Sequence, residues 1–382
     1  MPASVEPLGG NRWRVRVYAG IDPVTGRQLQ VQRSFRADGV RAAERAAVKI
    51  RAQLLDELNT RRARTGTVAE LVDRYLTWKK PRWSPTTATR NTAILTTISA
   101  DLGRLRLDVM SARHVDDWYV TLAGRGLAPS TVRHYGRVLN AALRQGQRWD
   151  MVQVRATENA TPPPVPRHAI QPPTNQVVRL LLEEASGPLR AALTVAAYAG
   201  LRRGEVIGLR WSDLVPLADG GAILHVRRSV ADVAGLYVKS TKTGRERAFV
   251  VPGTVVAELA ALRDRQTDQY AQLGVQVPVD GYLFADLRAD PSGQTPMRPG
   301  WLSLSWDRHR KRLGATGVRL HDLRHWNATT MMAAGVDPAT IAERLGHADI
   351  TTTLDIYSHA VPAVDGAAAA TLAAALAPPV AT

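Results

Sequence analysis

Toward the C-terminal end stand His321-Asp322-Leu323-Arg324-His325, then Leu345-Gly346-His347, then the stretch from Thr351 to Tyr357 closing in Leu-Asp-Ile-Tyr. On a helix, His321 and Arg324 lie at i and i+3 of one face, so an imidazole and a guanidinium can point at one small object, and an oxyanion fits there. Leu323, Met331 and Met332 can bury the rest of that helix. Ala334-Gly335-Val336-Asp337-Pro338 then supplies a Gly stop, an Asp cap and a Pro at the first position of a further helix, which ends at Gly346 and sets His347 just past a helix terminus. Two histidines, an arginine and a tyrosine arrive within about three short helices. They form half of a set suited to handling a phosphate.

The chain that must position them has 382 residues, enough for two or three domains with a sizeable core. Fifty Lys and Arg against thirty-four Asp and Glu leave a formal charge of +16, which favours a polyanionic partner, nucleic acid first, over a merely solvated basic surface. Cys is absent, which excludes a disulfide framework and a thiolate metal site. The N-terminus lacks a basic, then apolar, leader, and no apolar run approaches the roughly 18 residues that cross a bilayer. A cytoplasmic protein without membrane contact is expected. Lys occurs only at 49, 79, 80, 239, 242 and 311, so any well-placed lysine is informative.

Residues 11–36 alternate at period two around turn chemistry at Asp22-Pro23-Val24-Thr25-Gly26, predicting a small sheet that buries Trp13, Val15 and Val17 and turns Arg12, Arg14 and Arg16 outward. An Arg-faced ribbon can enter a major groove, and equally can be a solvated edge kept soluble by charge. A basic helix over 40–58 should cover the sheet, with a flexible basic linker at 61–66. Four helices follow. Thr67-Val68-Ala69-Glu70 is a capping box, Ser84-Pro85 opens a second helix, Ser111 a third and Pro129-Ser130 a fourth. Their polar faces, with Thr86, Arg90 and Arg133 foremost, could touch DNA phosphates. From 155 to 173 six prolines predict a semi-rigid strap.

Beyond it the pattern predicts helices at 176–185 and 189–198, strands at 222–229, 235–240 and 247–251 with the last two joined by a tight turn at Thr241-Lys242-Thr243-Gly244, and helices at 254–273 and 299–313. The tail, 365–376, is almost all Ala and Leu, a ready helix whose apolar face needs a partner on its own domain or a neighbouring protomer.

Gly200-Leu201-Arg202-Arg203-Gly204-Glu205, Lys242 at the turn, the His321 to His325 box, Leu345-Gly346-His347 and Tyr357, in that order, resemble the tyrosine recombinases, specifically the phage-type integrases. The resemblance spans the chain. It implies a multidomain fold: an α+β arm-binding domain at 1–64 (three-stranded sheet plus helix), an all-α four-helix core-binding domain at 67–155, a Pro-rich linker at 156–173, and a mostly α catalytic domain with a small antiparallel sheet at 174–382. It also implies a site-specific recombinase that joins DNA sites through a 3′-phosphotyrosyl intermediate, integrating a phage or mobile element. Its DNA partners would be core and arm attachment sites, it would act as a homotetramer, and an excisionase and a host DNA-bending protein would set direction. A chromosome-dimer-resolving recombinase, a type IB topoisomerase and a non-catalytic DNA-binding regulator are the alternatives.

The resemblance makes Tyr357 the nucleophile and gives His347 a hydrogen bond to the scissile phosphate. Arg202 and Arg324 would pair the two non-bridging oxygens, because a planar guanidinium fork matches them. His321 is the candidate general base. Lys242 is the candidate general acid for the leaving 5′ hydroxyl, since an ammonium can release a proton and a guanidinium cannot, with Lys239 as its rival. Glu205 would support Arg202 by pairing, Asp322 would cap or brace the helix of Arg324, and His325 would sit behind them. His321 and His325 have zinc-helix spacing, but Asp322 stands where a metalloprotease has Glu and the arginines supply the charge. No metal or cofactor is expected. Trp326-Asn327 departs from the family's usual small or aromatic pair.

Overall fold

Alternation at 12–18 yields a long strand, and in the computed structural model it becomes the centre of an antiparallel sheet. The structure describes residues 5–21, 28–166, 171–240 and 246–346. The chain divides into two compact units, Met1–Arg167 and His168–Thr382. In the first unit, β1 (Val5–Gly9), β2 (Arg12–Ile21) and β3 (Gln28–Arg36) pair in the order β1-β2-β3. The register puts Trp13, Val15 and Val17 opposite Phe35, Arg33 and Val31 on one face, and Arg12, Arg14 and Arg16 opposite Arg36, Ser34 and Gln32 on the other. Helix α1 (Val40–Thr65) packs its Ala47 and Leu54 on the first face, and Glu57 reaches Arg33 there at 2.9 Å.

The expected linker at 61–66 is instead the end of α1, which runs to Thr65. Arg and Ala are good helix formers, and nothing stops the helix before Gly66, which takes the left-handed φ of 65°. Four helices follow, α2 (Val68–Lys79), α3 (Pro85–Leu102), α4 (Ala112–Gly124) and α5 (Pro129–Arg148), around a core of Leu71, Ile98, Leu122 and Leu139. Their starts obey the sequence signals: Thr67 and Glu70 close a capping box on α2, and Ser84 accepts from the Thr87 N–H at the start of α3. The proline-rich stretch is not free throughout. The Thr161 N–H donates to Asp116 of α4 at 2.7 Å, and the Thr157 hydroxyl to Asn140 of α5 at 2.8 Å.

In the second unit, α6 (Asn175–Glu183) leads to α7 (Gly187–Ala199), a buried helix rich in alanine that other helices can approach closely. It stops at Gly200, with φ 60°, before the short α8 (Arg203–Ile207). Strands β4 (Leu214–Pro216), β5 (Ala222–Val226), β6 (Arg228–Asp232), β7 (Leu236–Ser240) and β8 (Arg247–Val251) follow, then α9 (Gly253–Gln272), α10 (Pro299–Arg312), α11 (Asp322–Ala333) and α12 (Pro338–Leu345). The strands form two antiparallel sheets, β4-β5-β8 and β6-β7, rather than one.

The single strand expected at 222–229 breaks between β5 and β6. At that corner Arg227 and Arg228 both bind the fully buried Asp213 carboxylate, at 2.9 and 2.7 Å, which turns the chain out of one sheet and into the other. The expected pairing across the Lys242 turn fails for the same reason: β7 pairs with β6, and β8 with β5. Among the described residues no helix is long and apolar enough to cross a membrane.

Candidate active site

Arg202 is the N-cap of α8, and Glu205, three residues on, closes the helix start by accepting the Arg202 backbone N–H at 2.9 Å. The other oxygen of that carboxylate accepts from the Arg202 guanidinium, also at 2.9 Å. Arg247, the first residue of β8, completes the carboxylate's partners at 2.7 and 3.3 Å. Burial alone would raise the Glu205 carboxyl, but hydrogen bonds and charge from Arg247, with Arg202 behind them, hold it below the usual carboxylate range.

A second convergence lies at the C-terminus of α12, where a helix leaves carbonyls unpaired and carries partial negative charge. Three guanidiniums from three elements satisfy three consecutive carbonyls: Arg247 donates to that of Arg344 at 3.0 Å, Arg324 to that of Leu345 at 2.6 Å, and Arg202 to that of Gly346 at 3.2 Å. Gly346 takes φ 67°, the left-handed value its position requires. Arg324 also donates to the Gly200 carbonyl at 2.7 Å, tying α11 to the turn that carries Arg202. The two arginines differ in access. The Arg202 side chain is 35 % exposed, whereas Arg324 is 2 % exposed.

His321 is the N-cap of α11, open to solvent on one side, with its ring against that of His325 at 4.9 Å in an edge-to-face arrangement. Protein on its inner side, then the charges of His325, Arg324 and Arg202, push its pKa down from 6.5 to about 4. The imidazole is therefore neutral at pH 7 and can accept a proton. His325, buried beside it, is lowered by burial as well. Because the folded protein resists protonation here while the unfolded chain takes up protons near 6.5, the stability involved is fully present above that pH and is lost as pH falls toward 4. The melting temperature should decline between pH 6.5 and 4.5, and His321→Gln should reduce that slope; an unchanged slope in the variant would contradict the assignment.

Asp322 does brace the turn before α11: it accepts the Arg319 backbone N–H at 2.7 Å and the Arg319 guanidinium at 2.8 Å. The unusual Trp326-Asn327 pair has a structural account. The Asn327 amide donates to the carbonyls of Ala197 and Tyr198, capping α7 just before Gly200, and the Trp326 indole donates to Asn175. Lys239 lies on β7 opposite Ser229. Its partner strand β6 presses on α8, where a Cβ added to Gly204 would stand 2.5 Å from the Val230 carbonyl oxygen, so Arg202 and the strand leading toward Lys242 are set together. Lys242, His347, Tyr357 and the Ala-rich tail lie outside the described residues.

The residue that sequence reasoning missed is Arg247. Its partners are 42 and 97 positions away, and its only local signal is a cation opening a strand. Of the residues expected to meet DNA, Arg12 is exposed and Arg14 and Arg16 half-buried on the sheet face that α1 leaves open, with Arg16 bound to Glu6 at 2.8 Å. Thr86 and Arg90 stand exposed one turn apart on α3. Arg133 and Arg137 of α5 line a cleft of 460 Å³ within the first unit. Among the described residues no three His, Asp or Glu side chains gather as metal ligands.

Sequence profiles of the phage integrase family and of the phage integrase N-terminal SAM-like domain match residues 173–363 and 67–123. The chain is 24 % identical to the ICEBs1 integrase of Bacillus subtilis over 94 % of its own length and 96 % of that protein's. It is 30 % identical to the tyrosine recombinase XerC of Herpetosiphon aurantiacus over 61 % of its length and 70 % of that protein's. In fold it is similar to the Tn1549 transposon integrase in complex with circular intermediate DNA (TM-score 0.63, 18 % identity, 77 % of this chain and 95 % of that one). It is also similar to a lambda integrase dimer bound to a core site (TM-score 0.59, 16 % identity, 94 % and 95 %).

Proposed function

The chain belongs to the phage integrase family, and from that premise we propose roles for its residues in cutting and rejoining DNA. It is a tyrosine-type site-specific recombinase of the kind carried by mobile elements, and its partner is DNA. In the proposed reaction the Tyr357 oxygen attacks the scissile phosphorus, a bond forms from the phenol to the 3′ phosphate, and the bond to the 5′ oxygen breaks. Lys242 gives that oxygen a proton, with Lys239 as the rival. The phosphotyrosine keeps the energy of the bond it replaces, so the reverse attack by a 5′ hydroxyl religates without ATP.

Arg202 and Arg324 would hold the non-bridging oxygens and stabilise the added charge of the transition state. His347 would donate to the same phosphate. His321, neutral at pH 7, would take the phenol proton; a bound phosphate places negative charge beside it and raises its pKa from about 4 toward the range in which a base exchanges protons readily. The observation that carries these roles is the meeting of Arg324 and Arg202, the latter held by Glu205, on the carbonyls of Leu345 and Gly346 that lead directly into His347 in sequence. The test is incubation with a nicked suicide duplex, whose cleaved fragment diffuses away: covalent protein–DNA complex should accumulate, and none would sink the reading.

The proposed division of labour places arm-site binding in residues 1–64, core-site binding in 67–155 through Thr86, Arg90 and Arg133, a linker at 156–173, and catalysis in 174–382. It extends to a homotetramer on two duplexes in the cytoplasm, with an excisionase and a host bending protein setting direction. A lambda integrase tetramer has been solved on a Holliday junction, and this chain shares its fold at TM-score 0.57. The sheet face bearing Arg12, Arg14 and Arg16, uncovered by α1, supports the arm role. Deleting residues 1–64 should weaken binding to distal arm DNA by about 10²-fold or more, as expected when several phosphate contacts are lost, and spare cleavage at the core site. Equal loss of both would contradict the division.

A further inference from the structure

We propose that Arg247 is a positioning residue for strand cleavage: by neutralising Glu205 it leaves the charge of Arg202 available to the scissile phosphate, a proposal that rests on the recombinase reading above. Glu205 is 2 % exposed and the Arg247 side chain 8 %, so their charges face one another out of water, where attraction is strong. Arg247 makes the shorter of the two ion pairs on this carboxylate, 2.7 Å against 2.9 Å for Arg202.

The charges decide what Arg247 does. Arg202, Glu205 and Arg247 together carry one net positive charge. Without Arg247 the remaining pair is neutral, and Glu205, its second partner gone, binds the Arg202 guanidinium with both oxygens. Cleavage converts a phosphate with one negative charge into a transition state with more, so a site that loses a positive charge loses most in the chemical step and little in DNA binding, which many other cations support. Arg247 also donates to the Arg344 carbonyl at 3.0 Å, and so shares with Arg202 and Arg324 the task of closing α12. Charge supply and helix closure are separable by experiment.

Arg247→Lys and Arg247→Gln both lose the guanidinium fork that reaches Glu205 and α12 together, but only the lysine keeps the charge. At saturating nicked substrate, Arg247→Gln should cleave about 10²-fold more slowly than the native enzyme, with DNA affinity nearly unchanged. Arg247→Lys should recover about tenfold or more of that loss. The double variant Glu205→Gln/Arg247→Gln removes both charges, restores the net charge of the group, and should cleave faster than Arg247→Gln alone. It also leaves no unpaired buried carboxylate, so it carries the comparison if the single glutamine variant does not fold, when its cleavage should lie within about tenfold of the native rate. Equal rates for the lysine and glutamine variants, or a double variant slower than about 10²-fold below native, would overturn the proposal. A native protein that forms no covalent complex would instead sink the recombinase reading.

Discussion

Tyr357→Phe is expected to abolish covalent capture of nicked DNA, lowering cleavage by about 10⁴-fold or more, while duplex affinity stays within a few-fold. The substitution removes one oxygen and keeps the ring, so the proposed nucleophile is lost and the side chain is otherwise unchanged. A free phenol has a pKa near 10 and is almost entirely protonated at pH 7. The proposed site counters that in two ways: positive charge favours the phenolate, and the neutral imidazole of His321 offers a destination for the proton. No other side chain in the proposed mechanism supplies a nucleophile. Capture retained in the variant would remove Tyr357 from that role and leave the arginine cluster without its reaction.

The second large effect separates the two arginines. Arg202→Ala should lower cleavage by about 10² to 10³-fold, the cost of a lost transition-state contact, with a melting temperature close to that of the native protein. Its side chain is partly exposed, and Glu205 keeps Arg247 when Arg202 is gone. Arg324→Ala should lose activity at least as severely and stability too. Its guanidinium is buried and satisfies the Gly200 and Leu345 carbonyls at 2.7 and 2.6 Å, and leaving both without their charged donor costs about 3 kcal/mol. Cleavage assays paired with thermal melts separate the cases. Equal destabilisation by the two substitutions would contradict the geometry of the α12 terminus.

What could be read from the sequence was whatever depends on neighbours a few residues apart. The Thr67–Glu70 capping box, the Pro at the start of α3 and α5, and the Asp337-Pro338 start and Gly346 stop of α12 are local, and each stands in the structure where its signal lies. The Arg202–Glu205 pair is legible for the same reason, being one turn apart. Pairing between strands is not local. Nothing within 236–251 shows that β7 turns back to β6 while β8 joins β5, because the corner is fixed by Asp213, a buried carboxylate 14 and 15 residues before the arginines it binds. Arg247 escaped notice likewise, since the carboxylate and helix terminus it serves come from distant stretches of chain. The end of α1 was missed through composition: a run of arginines looks like a solvated linker, yet the same residues favour a helix when no glycine intervenes.

In the proposed reaction, cations scattered along the second unit serve one phosphorus attacked by one phenol. The measurement that meets it most directly is mass spectrometry of the peptides released by proteolysis from the covalent complex trapped on a nicked duplex. That reaction requires a nucleotide attached through its 3′ phosphate to the peptide containing Tyr357, with that adduct strongly reduced in Arg202→Ala. A nucleotide joined through a 5′ phosphate, or carried by any other residue, would contradict it.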